Sequence, residues 1–186
     1  MSHNQFMACR FPVVVASLLL SISASQASAG TVTKQLIVGT WECGPTVMKG
    51  PDVTVTASYV LERKPDMTFM HTGTSRVEPK GREAFTFDAT YRGTWKLAGD
   101  VLTWTYTESK FVGSSLPQVT PEIGQKIIDD EHRKQPISSS RVIRVDARSI
   151  STIPVKPLYA AAAVASHCKR KMEGAVLPSV VKPAAG

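Results

Sequence analysis

Phe85–Leu97, FTFDATYRGTWKL, alternates without a break: Phe85, Phe87, Ala89, Tyr91, Gly93, Trp95 and Leu97 against Thr86, Asp88, Thr90, Arg92, Thr94 and Lys96. A period of two sustained this long describes a strand with one buried face and one wet face. After Ala98-Gly99-Asp100 the alternation resumes, with Leu102, Trp104 and Tyr106 inward and Thr103, Thr105 and Thr107 outward. The two runs make a hairpin.

Working upstream, Val53, Val55, Ala57, Tyr59 and Leu61 alternate with Thr54, Thr56 and Ser58, and Lys64-Pro65-Asp66 turns the chain into Met67–Gly73. Pro pre-sets φ in such a turn and Asp supplies a side-chain acceptor, so this is a second hairpin. Leu36–Cys43 is expected to be the first strand, ended by Gly44-Pro45. Downstream the period changes once. Thr120 can cap a helix that has Pro121 at its first position and Ile123, Ile127 and Ile128 on one side, closing before Pro136. Strand pattern returns in Ser139–Asp146, with Ile143 and Val145 opposite Arg144 and Asp146, then in Ser149–Val155 and Ala162–Lys171.

The N-terminus is organised differently. Arg10 precedes the apolar run Phe11–Leu20, and Ala27-Ser28-Ala29 offers small residues for cleavage before Gly30, so residues 1–29 read as a signal peptide. The run is too short to span a bilayer, and Cys9 lies ahead of it, which excludes a lipoprotein signal. The expected product is periplasmic or secreted, with no membrane span after cleavage. It comprises one barrel domain over residues 30–173 and a disordered Pro- and Ala-rich tail over 174–186.

The chain's formal charge is +7, or +6 once Arg10 leaves with the leader. The positive residues are scattered and lack interleaved aromatic stacking platforms, which argues against nucleic-acid binding. A mildly basic surface is suited to solubility and to anionic envelope polymers. Two cysteines survive processing, Cys43 and Cys168, and an even pair in an exported protein is expected to be oxidised. No metal site or cofactor is expected, because the pair has no CxxC partner.

About eight strands in sequential hairpins, with one inserted amphipathic helix, specify an all-β, antiparallel up-and-down barrel. Closure removes the exposed edges that long Thr- and Val-rich strands would otherwise present. Gly39-Thr40-Trp41 on the opening strand resembles the G-x-W signature of lipocalins and of bacterial lipocalin-like (calycin-type) domains. The resemblance implies that Trp41 packs across the closed end under a basic residue of the last strand, here Arg170. If Cys43 and Cys168 lie on neighbouring first and last strands, their disulfide staples the closing seam. The chain departs from the family in placing its helix before the last three strands.

Tyr59, Phe69, His71, Phe87, Tyr91, Trp104 and Tyr106 are the residues expected to line the interior. Aromatic walls with a few polar tips suit a small apolar ligand, and they equally describe a filled core. His71 is placed either to hydrogen-bond a ligand or to sit in the core satisfied by a neighbour. Asp129-Asp130-Glu131-His132 is the densest titratable cluster, but adjacent helical residues diverge by about 100°, so it reads as an exposed helix face. No catalytic residues are assigned, since neither a G-x-S-x-G elbow nor a paired His and Asp is present. The expected function is binding of a small apolar or amphipathic ligand outside the cytoplasm. The alternative is a cell-envelope interaction or inhibitor module.

Overall fold

The computed structural model describes residues 31–171; the expected leader at 1–29 and the expected tail at 174–186 lie outside them. A short helix, α1 (Lys34–Ile37), precedes β1 (Gly39–Lys49), β2 (Val53–Arg63), β3 (Thr68–Pro79), β4 (Phe85–Ala98) and β5 (Val101–Ser114). The helix α2 (Pro121–Lys134) is followed by β6 (Ile137–Val145), β7 (Ser149–Pro154), a single 3-10 turn at Ala160–Ala162, and β8 (Ser166–Arg170). Each strand pairs antiparallel with the next, and β8 returns to β1, closing an eight-stranded barrel.

The β4–β5 hairpin behaves as its alternation requires, with Ala89, Trp95, Leu102 and Trp104 buried. The Thr120 hydroxyl accepts from the Ile123 N–H to cap α2, which has Pro121 in its first turn as expected. Cys43 stands directly opposite Cys168, and their sulfurs are bonded, so the seam between first and last strands is covalent.

The strands differ from the sequence expectation in several places; β3, for one, runs past Gly73 to Pro79. Residues 34–37 are helical, so β1 starts at Gly39, and it runs through Gly44-Pro45 to Lys49. The Gly-Pro pair forms a bulge, where the β1–β2 register shifts between Cys43 and Thr46. A bulge can absorb the N–H that proline lacks. In β6 a bulge between Val142 and Arg144 moves the inward position to Val142, 5% exposed, and leaves Ile143 outside at 50%. The last strand is shorter than expected, because Ala160–Ala162 coils into the 3-10 turn.

Strand lengths divide the barrel into two halves. β5 pairs with β6 only over Val101–Thr105, and β1 pairs with β8 only over Trp41–Cys43. The wall is therefore complete around the end where β1 begins. At the other end β1 to β5 continue as a half-shell, and α2 covers the edge of β5 that β6 leaves unpaired.

Polar side chains of α2 satisfy that edge. The Phe111 N–H donates to Gln125 Oε1 at 2.9 Å, and Gln125 Nε2 donates to the Ser109 carbonyl at 3.0 Å. His132 Nε2 lies 3.2 Å from the Tyr106 carbonyl and Nδ1 3.1 Å from Ser109 Oγ. One tautomer fits both contacts, with Nε2–H donating to the carbonyl and Nδ1 accepting from the hydroxyl. Gly124 faces the Phe111 ring so closely that a Cβ would collide with it, and this sets the distance of the helix from the sheet.

Candidate functional site

The two ends of the barrel have different chemistry. At the closed end, Arg170 on β8 lies over the Trp41 ring at 4.2 Å, a cation–π contact. Its Nε, Nη1 and Nη2 donate to the carbonyls of Ala147, Val38 and Leu36 at 2.7–2.8 Å. The Trp41 Nε1–H donates to the Ile37 carbonyl at 2.9 Å. Carbonyls at the end of α1 and just beyond it are thus satisfied by two side chains of the barrel, and Ile37 is wholly buried. The α1 segment plugs this end. The second Gly-x-Trp, ending at Trp95, is also structural: its indole donates to the Thr68 carbonyl at 3.1 Å.

Above this plug sits Arg63, a residue that the alternation of β2 reaches if it is carried one step past Leu61. Only 2% of its surface is exposed, and Nε and Nη1 have no hydrogen-bond partner. Its guanidinium packs against Trp104 at 4.7 Å and lies 6.0 Å from the centre of Trp41. Desolvation by burial, the main cause, lowers its pKa from 12.5 to about 10. Phe69 and Trp104, 5.2 Å apart edge to face, are 4% and 8% exposed. They belong to this packed floor and not to an open cavity, contrary to the lining role expected for them.

The other five expected residues, Tyr59, His71, Phe87, Tyr91 and Tyr106, surround a cup of about 290 Å³. Successive rings curve around its wall. Tyr59 and His71 have centroids 4.3 Å apart, His71 and Tyr91 5.3 Å, and Tyr91 and Tyr106 5.8 Å, at tilts of 44°, 40° and 65°. Tilted neighbours do not cover one another's faces as parallel stacks do.

Three polar rings of the cup, His71, Tyr91 and Tyr106, carry no charge at neutral pH. Burial lowers the His71 pKa to about 4, so its imidazole is neutral, and it makes no hydrogen bond among the described residues. Tyr91 is pushed up to about 12, chiefly by burial and then by the charge of Glu131, so its hydroxyl remains protonated. Burial likewise raises Tyr106, whose hydroxyl lies 3.3 Å from Ser138 Oγ.

Glu131, His132, Gln135 and Leu158 complete the rim. The cluster at 129–132 is therefore not simply an exposed face. Asp129 accepts from Gln125, and Asp130 pairs with Arg133, but Glu131 and His132 face the mouth. The signal for His132 was present, since it follows the buried Ile128 by four residues and shares its face. Both ring nitrogens of His132 are engaged with β5, so its work is to hold the helix.

Among the described residues no group of His, Cys, Asp or Glu is arranged to hold a metal ion, and no helix is long and apolar enough to cross a membrane. No protein-family model matches the chain, and a search of curated proteins finds no significant match.

Proposed function

We propose that this protein is an exported, lipocalin-like binder of a small amphipathic molecule, held in the aromatic cup under α2. The observation that carries the reading is the cup itself. About 290 Å³ of space is left at one end of a barrel whose other end is tightly packed, and apolar rings with a few polar tips line it. That volume lies at the lower edge of the usual range for small-molecule sites. The arrangement of Gly39, Trp41 and Arg170 supports the lipocalin-like assignment, and the Cys43–Cys168 disulfide supports residence in an oxidising compartment. The site is read as binding and not catalysing, because His132, the side chain best suited to general base work, has both nitrogens occupied.

Native mass spectrometry of the full chain, expressed with its leader and purified from the envelope fraction, tests this. A recurrent adduct of small-molecule mass that disappears when Tyr91→Trp fills the cup is the expected result. Repeated recovery of bare protein would overturn it.

A second reading rests on Ile123 and Ile127, one turn apart on α2 and 48% and 42% exposed. They would give an envelope interaction module an apolar contact on the lid.

A further inference from the structure

The charge of the cup runs against the charge of the chain. Lys and Arg number 22 against 15 Asp and Glu, yet among the described residues no Lys or Arg lines the cup. Arg63, whose charge is coupled to Tyr59, is the candidate for an anion site, but it belongs to the floor, where its guanidinium packs against Trp104, and it does not line the cup. The acidic side chain on the lining is Glu131, at the rim, close enough to the Tyr91 hydroxyl to raise its pKa. His71, on the wall, adds no positive charge at neutral pH, and His132, on the rim, has both ring nitrogens turned to β5.

Aromatic faces carry negative quadrupoles and attract cations, most strongly when the site is partly desolvated. Tyr59, Tyr91, Tyr106 and Phe87 supply four such rings around one small space, and Glu131 adds an opposite charge at its mouth. An anionic ligand would meet the same rings and the same carboxylate as repulsion. The protein's exposed positive charges oppose a cation only weakly, because those more than about 8 Å away are screened at physiological ionic strength.

From this combination we infer that the ligand is an organic cation, an alkylated or quaternary ammonium compound whose head group sits among the Tyr59, Tyr91 and Tyr106 rings with Glu131 at the rim. The inference rests on the cup being a binding site, and it assigns the chemical class the site prefers. Glu131 is not expected to touch an apolar, uncharged molecule of the same shape.

Isothermal titration of the full chain with choline, with its neutral isostere 3,3-dimethylbutan-1-ol, and with 3,3-dimethylbutanoate separates the possibilities. Choline is expected to bind roughly tenfold more tightly than the alcohol, consistent with desolvated cation–π attraction, and the carboxylate most weakly. Glu131→Gln, a rim substitution, is expected to weaken choline several-fold and to leave the alcohol unchanged. Tyr91→Phe keeps the ring and most of the choline affinity, whereas Tyr91→Leu loses both. Equal or tighter binding of the alcohol would overturn the cation assignment while leaving the cup a binding site. Preferential binding of the carboxylate, or no binding of any probe, would also overturn it; the envelope mass-spectrometry experiment judges the binding site separately.

Discussion

The guanidinium of Arg170 occupies the position a Cβ on Gly39 would take. Gly39 also has φ +129°, a backbone conformation that side chains rarely adopt. First and last strands are therefore fitted to each other at the closed end, and the same Arg170 caps the carbonyls around α1 and covers Trp41. Gly39→Ala is expected to be more damaging than an ordinary Gly→Ala change in a strand, because strain and displacement of Arg170 add together. Thermal unfolding of Gly39→Ala and Arg170→Ala should show similar large losses, and the double variant less than their sum. Additive effects would mean that the two positions act independently.

The disulfide joins residues 125 apart in sequence, across directly opposed strands. On the chain-entropy account its removal costs roughly 5 kcal/mol. Chemical denaturation of a Cys43→Ala, Cys168→Ala variant should show a stability loss of that order, and a loss below about 1 kcal/mol would mean that strand pairing alone secures the seam.

Arg63 sets two opposing effects against each other. Each buried donor without a partner costs about 1–3 kcal/mol, while a desolvated cation–π contact returns about 2 kcal/mol. With Nε and Nη1 both unpaired, the cost of about 2–6 kcal/mol equals or exceeds the return from the Trp104 contact. Arg63→Met should therefore leave the unfolding midpoint unchanged or raise it. A loss above about 2 kcal/mol would show that the contacts with Trp104 and Trp41 outweigh desolvation.

His71 predicts a pH dependence. Burial depresses its folded pKa to about 4, against 6.5 for an exposed imidazole. Between those values the unfolded chain binds a proton that the folded chain does not, so stability is complete above pH 6.5 and falls as pH drops toward 4. The loss is roughly 3 kcal/mol at 1.4 kcal/mol per pH unit. Urea unfolding at pH 7 and pH 4.5 should show this fall in the native chain and a smaller one in His71→Gln. Parallel curves would exclude His71 as the cause.

The lid has its own test. Gln125 makes both hydrogen bonds that join the first half of α2 to β5, so Gln125→Ala should speed hydrogen exchange at the Phe111 amide while leaving Leu102 on the same strand protected. Equal acceleration at both amides would mean that the barrel loosens as a whole and α2 is not a separate unit.

The strands and the helix were legible in the sequence because side-chain alternation and capping are local properties. Phe85–Leu97 could hardly be anything but a long amphipathic strand, and Thr120-Pro121 marked the start of α2 to the residue. Bulges were not legible. Gly44-Pro45 reads as a stop when only its own backbone is considered, and the shift that turns Val142 inward in place of Ile143 depends on the pairing of β6 with β7.

The candidate site followed the same division. Alternation placed Tyr59, His71, Phe87, Tyr91 and Tyr106 on the inner face, but it could not say at what height each ring lies. Phe69 and Trp104 share that face, and the stagger of the strands puts them in the floor. Glu131 and His132 join the cup only because β6 starts too low to cover β5, leaving an edge for α2 to occupy. The sequence by itself determined which residues point inward and where the chain turns, since both depend on near neighbours. Which inward residues fill the barrel and which surround empty space was decided by strand length, stagger and the docking of α2, all of which exist only once distant segments have paired.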